Sequence, residues 1–189
     1  MSDSIHLRPC RPNDIGYLIE IYREGFACEL VFFFRRFCGR FFEALFCLLI
    51  DDTIVAEAKE QVVGFIIAVL GLQPFRGIGL TRLMLTLPLM FAYAKPAFLI
   101  YALQKLRNTE WSKRQVGIGC IAVRKTYRGK RIGGALMREA LARYPSENAT
   151  LEVRSWNRSA LRLYSRAGFQ SVATWRDPLG QWIVMSKHS

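Results

Sequence analysis

Val123–Leu136 reads VRKTYRGKRIGGAL: the end of an apolar run, a basic glycine-bearing turn, and the start of a helix. Upstream, Val116–Val123 (VGIGCIAV) is short, apolar and reads as a buried strand. Downstream, Ala135–Arg143 sets Leu136, Ala140 and Leu141 on one face of a helix that Pro145 ends. The turn Arg124–Gly134 therefore feeds a helix N-terminus. There the first backbone N–H groups lack intrahelical acceptors and the helix dipole favours an anion. The glycines let a phosphate approach the backbone closely. Arg124, Lys125, Arg128, Lys130 and Arg131 add positive charge, and a diphosphate is the natural ligand. The stretch is neither a Walker loop nor a GxGxxG dinucleotide loop. The competing reading is a solvated basic turn whose glycines serve packing.

Toward the C-terminus, Leu151–Phe169 reads LEVRSWNRSALRLYSRAGF. Ala149–Val153 is a strand, and Asn157–Ala167 is a helix closed by Gly168, a residue suited to the left-handed position after a helix. Asn157 and Tyr164 stand seven residues apart, two helical turns, and share a face. Glu152 lies on the preceding strand. A carboxylate at a strand end and a phenol on the next helix can act as general base and general acid. Simpler readings compete: Asn157 as a helix cap, Tyr164 as a core aromatic, Glu152 as a solvated strand residue. Phe169–Trp175 and Gln181–Ser186 are two last strands about the turn Asp177-Pro178-Leu179-Gly180.

Toward the N-terminus, Thr53–Ala58 and the continuous apolar run Gln61–Leu70 (QVVGFIIAVL) form a hairpin, the second strand central in its sheet. Ile5–Arg8 is a short strand stopped by Pro9 and Pro12. Asn13 or Asp14 caps a helix that places Ile15, Leu18, Ile19 and Tyr22 on one face. The Phe-rich block 31–50 continues as helix, with Gly39 as a break. Its Arg35, Arg36, Arg40 and Glu43 leave the apolar runs too short to span a bilayer. Residues 71–114 read as an insertion, with Gly-Pro punctuation and then apolar helical stretches. Within it, Leu83–Leu103 is about as long as a span, roughly 20 residues. Lys95 beside Pro96 sits in its middle, and lysine at a bilayer centre costs on the order of 3 kcal/mol. The expectation is a broken apolar helix packed on the domain or on a second subunit. Aromatics interleaved with Arg and Lys leave peripheral contact with a membrane surface open.

The chain has 189 residues, 51% hydrophobic and 22% charged, a globular composition for one domain. Its net charge of +12 admits a phosphate ligand, a nucleic acid or an acidic membrane as partner. Five cysteines (Cys10, Cys28, Cys38, Cys47, Cys120) show no CxxC spacing, and the two histidines, His6 and His188, sit at the ends. Neither a metal site nor a disulfide framework is expected, and a cytoplasmic setting is. The opening MSDSIH lacks the charged start and apolar run of a signal peptide.

In this order and spacing the two C-terminal blocks resemble the GCN5-related N-acetyltransferase (GNAT) superfamily. Its phosphate loop, R/Q-x-x-G-x-G/A after a strand ending in Val, is matched by Arg128-Gly129-Lys130-Arg131-Ile132-Gly133. Its later block, N-x-x-A-x-x-x-Y-x-x-x-G-F, is complete as Asn157, Ala160, Tyr164, Gly168 and Phe169. The Leu151-Glu152-Val153 strand is similar to that of ribosomal-protein alanine N-acetyltransferases. The resemblance is clear over 116–175, agrees with the hairpin, is weak over 1–52 and is absent over 71–114. One position departs: the first loop glycine is Arg131 here, and the loop is expected to keep its shape with Arg131 pointing outward.

The resemblance implies an α/β fold: a mixed, mostly antiparallel central sheet flanked by helices, in one acetyltransferase domain over 1–189 with a helical apolar insertion at about 71–114. It implies an N-acetyltransferase that moves an acetyl group from acetyl-CoA, its cosubstrate, directly to a primary amine, without a metal. The pyrophosphate rests on amides of Arg128, Gly129, Lys130, Arg131, Ile132, Gly133 and Gly134. The pantetheine pairs, strand-like, with Ile121, Ala122 and Val123, splayed from the next strand, and contacts Asn157. Tyr164 protonates the leaving CoA thiolate. An amine of pKa ~8–10 is mostly protonated at pH 7, so a base is useful, and Glu152 is the candidate. Because attack is direct, Cys120 is read as a core residue and not a nucleophile.

The acceptor site of this family is built by N-terminal helices and variable insertions, here 15–50 and 71–114. These are apolar, aromatic and basic, which disfavours a polycationic acceptor and favours a small amine, an amino sugar, or a lipid-linked or anionic amine. A protein amine stays in the set. Two further classes compete: a CoA-binding module without turnover, and a basic membrane-surface protein. Nucleic acid is not expected, since no RNP-type motif is present. The apolar insertion makes a homodimer reasonable.

Overall fold

Gln61–Leu70 is apolar on both faces because both faces are covered. In the computed structural model, which describes residues 4–27, 39–71 and 115–189, this run is strand β3 of a seven-stranded sheet. The others are β1 (His6–Pro9), β2 (Thr53–Ala58), β4 (Gln115–Val123), β5 (Asn148–Arg154), β6 (Gln170–Asp177) and β7 (Gly180–Lys187). The sheet order is β1-β2-β3-β4-β5-β7-β6. All pairs are antiparallel except β4 with β5. That pair is parallel because helix α3 (Ile132–Ala142) crosses over between its strands. The helices described before it are α1 (Ile15–Gly25) and α2 (Gly39–Leu48), and α4 (Arg158–Arg166) follows. This is the mixed, mostly antiparallel sheet flanked by helices that the sequence led us to expect.

The sheet divides the apolar residues into two layers. On one face Val63, Ile66 and Ala68 pack with Ile132, Leu136, Met137 and Ala140 of α3 and with Tyr164 of α4. On the other, Val62, Phe65 and Ile67 pack with Leu18 and Ile21 of α1 and with Phe42 and Phe46 of α2. Each fully buried Val, Leu, Ile, Phe or Met among them contributes about 1.5–3 kcal/mol. The β2–β3 hairpin closes through Lys59 (φ 51°) and Glu60 (φ 61°), both left-handed, the two-residue geometry that matches strand twist.

One irregularity shapes the molecule. Gly119 is an extra residue in β4, since Ile67 pairs with Cys120 and Ala68 with Ile118. Such a bulge bends its strand and ends regular pairing. Accordingly β4 pairs with β5 only from Gln115 to Ile118, opposite Asn148–Leu151. Beyond that point Ile121–Val123 pair with β3, and Glu152–Arg154 pair with β7. The facing edges of β4 and β5 diverge.

Two local expectations change. Helix α3 begins at Ile132, not Ala135. Glycine's low helix propensity mattered less than expected, because Ile132 is buried and anchors the first turn. Asp14 does not cap α1 through its side chain. Its buried carboxylate instead accepts from Arg8 at 2.7 and 2.9 Å and from the Arg11 amide at 2.7 Å. The Phe-rich block is helical over Gly39–Leu48, while its residues 31–38 and the insertion beyond Gly71, including Leu83–Leu103, lie outside the described residues. Among the described residues no helix is long and apolar enough to cross a membrane.

Candidate active site

The divergence of β4 and β5 opens a cleft of about 1200 Å³ whose lining comes from both faces of the sheet. Gly119–Val123 form one wall and Glu152–Arg154 the other. The first turn of α3 and one side of α4 close it on one face, and Tyr22, Phe26, Phe41 and Phe42 close it on the other. These last rings interlock, with Tyr22 stacked on Phe26 at 4.6 Å and tilted on Phe42 at 5.1 Å.

At the α3 end the loop turns through two left-handed residues, Gly129 (φ 81°) and Arg131 (φ 62°). The second explains why glycine is usual there: Arg131 pays backbone strain for a side chain that stays exposed. The first hydrogen bond of the helix is donated by Ala135 to Arg131 O at 3.1 Å. The amides of Ile132, Gly133 and Gly134 thus have no acceptor within the helix. A Cβ added at Gly133 would meet Leu163 at 3.4 Å, and one at Gly134 would meet Arg138 Nη1 at 3.7 Å. Both are ordinary contacts, so the space between α3 and α4 would admit a Cβ at either position. Arg128 Nε donates to Val123 O at 3.1 Å and fastens the loop to the strand end. Arg128, Gly129, Arg131, Ile132, Gly133 and Gly134 all line the cleft. Lys130 instead lays its ammonium over the Tyr127 ring, 4.6 Å from the centroid. Behind the loop, Arg124 pairs with Glu20 of α1 at 2.9 Å, and the Lys125 amide donates to Glu24 at 3.1 Å.

The second block meets the first in the same cleft. Ile121, Ala122 and Val123 present there the edge that β5 leaves unpaired. Tyr164 is 7% exposed and lies edge-on to Phe169 at 6.2 Å. Burial, with the Cys120 thiol nearby, raises its phenol above the ordinary value of 10.0. It therefore holds its proton at neutral pH and is a donor. Burial likewise raises the Cys120 thiol above its ordinary 9.0, so this residue stays a thiol in the cleft wall. Glu152, half-buried and in register with Val184, also lines the cleft. Asn157 caps α4, its Oδ1 accepting from the Ala160 amide at 3.1 Å, and borders the cleft as well.

Other lining groups were not anticipated. Arg154 is 3% exposed and forms a two-pronged pair with Asp177 at 2.7 and 2.9 Å. Asp177 also accepts from the Leu179 and Gly180 amides and from Trp182 Nε1. The Arg154 guanidinium lies 3.9 Å from the Trp182 ring centroid, and Trp182 stacks on Trp175 at 5.6 Å. Burial alone would raise the Asp177 carboxyl. The hydrogen bonds from Arg154 and Trp182 outweigh it and hold the carboxyl below its ordinary range. No local sequence signal pairs residues so far apart. Arg138, Arg162 and Arg166 also line the cleft. Their only sequence sign was the four-residue spacing of Arg162 and Arg166.

Solved structures share this architecture. An N-acetyltransferase from Staphylococcus aureus Mu50 superposes with a TM-score of 0.68, at 19% identity over 96% of this chain and 99% of that one. NAA60 of Arabidopsis thaliana in complex with acetyl-CoA gives 0.61, at 20% identity over 98% and 100%. The NatC complex bound to Gag peptide and CoA contains a chain that gives 0.63, at 15% identity over 98% and 99%. No curated protein matches the sequence. The sequence profile of the acetyltransferase (GNAT) family matches residues 17–169. With four-fifths of its length so matched, and the corresponding fold around the cleft, the chain belongs to the acetyltransferase (GNAT) family.

Proposed function

We propose that this protein is an N-acetyltransferase that moves an acetyl group from acetyl-CoA directly to a primary amine, acting as one domain over 1–189. One observation carries the reading. A single cleft holds helix-start amides without an acceptor in the helix, an unpaired strand edge and a buried phenol, the three kinds of group a CoA thioester can use. Acetyl-CoA in NAA60 and CoA in the NatC complex, structures of like fold, support the same donor here.

In this reading the pyrophosphate lies on the amides between Arg128 and Gly134. The pantetheine runs along Ile121, Ala122 and Val123 and past Asn157. The acceptor nitrogen attacks the thioester carbon and the C–S bond breaks. The departing sulfur takes the Tyr164 proton. The proton lost by the amine passes to Glu152, directly or through water. Placing both reactants in one cleft supplies much of the rate, and the acid adds on the order of 10²–10⁴-fold.

The acceptor approaches from the α1–α2 side, where Tyr22, Phe26 and Phe42 offer an apolar wall. That wall favours a small amine, an amino sugar or a protein amine over a polycation. The protein amine gains support from the Gag peptide in the NatC complex and from the likeness of Leu151-Glu152-Val153 to ribosomal-protein alanine N-acetyltransferases. Calorimetry with acetyl-CoA and with NAD, followed by a panel of amines and peptide N-termini, tests the reading. Acetyl-CoA binding and transfer to an uncharged-flank amine support it. Preference for NAD overturns the donor, and acetylation of cationic peptides alone overturns the acceptor class.

A further inference from the structure

The cleft has two halves of unlike character, and strand alternation sorts the lining groups between them. Leu151, Val153, Ile183 and Met185 pack toward α3 and α4. Successive side chains of a strand point to opposite faces. Glu152 and Arg154 on β5, and Trp182 in register with Arg154, therefore face the α1–α2 side. That half of the lining also holds Tyr22, Phe26, Phe41 and Phe42. Arg128, Arg131, Arg138, Arg162 and Arg166 lie in the loop, α3 and α4, so they belong to the other half.

The α1–α2 half is aromatic. Its guanidinium, Arg154, is matched by Asp177 at 2.7 Å. Glu152 is the only carboxylate among the described lining residues. The rings form a fixed array: Phe41 lies edge-on to Phe42 at 5.2 Å, and Phe46, edge-on to Tyr22 at 5.8 Å, anchors the array on Phe65 at 5.6 Å. On the other side of the β4–β5 divergence, Trp182 is held by its Nε1 hydrogen bond to Asp177 and by its stack on Trp175.

These walls discriminate among amines. One amino group finds one carboxylate there. A second positive charge finds no partner in the described lining, and the arginines of the other half repel it. An apolar body laid against the rings leaves water, and ring–ring contact adds to that gain. A sugar would lose the hydration of its hydroxyls against phenylalanines that offer no hydrogen bond in return. We propose that the acceptor is a monoamine carrying a large apolar group, an aromatic ring above all, on a short chain from the nitrogen. The amine stands at Glu152, and the apolar group lies between the α1–α2 rings and Trp182. This rests on the acetyl-transfer reading above and names the class that the cleft selects within its acceptor set. A free arylalkylamine and a peptide N-terminus that begins with an aromatic residue share this chemistry.

Initial rates on the full chain with acetyl-CoA test it, using phenethylamine, ethylamine, putrescine and glucosamine, a peptide that begins with phenylalanine and one that begins with serine. Phenethylamine should exceed ethylamine roughly 10- to 100-fold in kcat/KM, the worth of burying a phenyl ring, with most of the difference in KM. Putrescine and glucosamine should rank with ethylamine or below it. Phe26→Ala should shrink the ratio of phenethylamine to ethylamine several-fold, and Phe26→Leu should restore part of it. A ratio read on one preparation does not depend on the fraction folded. The phenylalanine peptide should exceed the serine peptide, and whichever ring-bearing amine is faster identifies the source while supporting the class. Preference for ethylamine, putrescine or glucosamine overturns the class and leaves the acetyl-CoA reading standing. A ratio unchanged in both Phe26→Ala and Tyr22→Ala does the same, as does calorimetric binding of acetyl-CoA without transfer to any ring-bearing amine. Failure to bind acetyl-CoA overturns the donor and the class together.

Discussion

Tyr164 and Arg131 show how single positions set the chemistry and its cost. Tyr164→Phe removes one oxygen from a buried ring, so the fold and the coenzyme contacts persist while the proton donor is lost. Steady-state kinetics should show kcat down by roughly 10²- to 10⁴-fold, with acetyl-CoA affinity by calorimetry unchanged. The raised phenol pKa fixes the sign of the pH effect. The protonated form is the active one, so the acid limb of catalysis holds up to the ordinary value of 10.0 and is lost only above it. A kcat that falls with a midpoint below that value would remove Tyr164 from the role. Arg131 (φ 62°) is the opposite case, a residue at odds with its backbone. Arg131→Gly should raise stability by about 0.5–1 kcal/mol, the left-handed strain relieved less the entropy glycine adds to the unfolded chain, readable as a higher Tm. The Arg128–Gly134 loop and the Tyr164 block were legible because each is a local pattern whose spacing carries its geometry. Asn157 was legible in two ways, and the cap is visible while the coenzyme contact is a proposal. Arg154 was not legible, since its partner Asp177 lies 23 residues away and read only as a turn residue.

Elements meet at that same pair. Asp177 opens the β6–β7 turn and Arg154 ends β5, so their ion pair ties the hairpin to the strand that carries Glu152. Removing one partner leaves a buried charge uncompensated, at a cost of about 3–5 kcal/mol. Asp177→Ala should show this in urea denaturation. Because the folded-state carboxyl is held below its ordinary 3.8, the pair's stabilisation is present above that pH. It is lost as pH falls through the lower folded value. Asp177→Asn should therefore flatten the acid limb of stability below about pH 4, and an unchanged limb would deny the pair its role. Strand and helix existence was readable from periodicity, whereas the start of α3 was not, because glycine in a first helical turn looks like loop. The Gly119 bulge was unreadable for a similar reason. A glycine inside a strand marks a bulge, a close approach or a packing site equally well, and only the pairing of its neighbours, Cys120 with Ile67 and Ile118 with Ala68, decides.

At the scale of the molecule, the hairpin was legible and the strand order was not. β7 lies between β5 and β6 through pairings such as Arg154 with Trp182, which no local pattern encodes. The resemblance over 116–175 implied the mixed, mostly antiparallel sheet flanked by helices, and not this order. Charge acts at this scale too. The chain carries +12, and Arg128, Arg131, Arg138, Arg162 and Arg166 of the cleft, which form no ion pair among the described residues, concentrate part of it where the donor's phosphates would lie. Their attraction is long-ranged at low salt and short-ranged at high salt, since the screening length shrinks from ~10 Å at 0.1 M to ~3 Å at 1 M. Acetyl-CoA should accordingly bind at least ~10-fold more weakly at 1 M than at 0.1 M sodium chloride. Acetyl-pantetheine, which has the thioester arm and no phosphate, should bind weakly and almost independently of salt. Calorimetry of both ligands at the two salts separates the electrostatic share of binding from the strand-like share. An acetyl-CoA affinity indifferent to salt would place the phosphates away from the arginines, on amides alone.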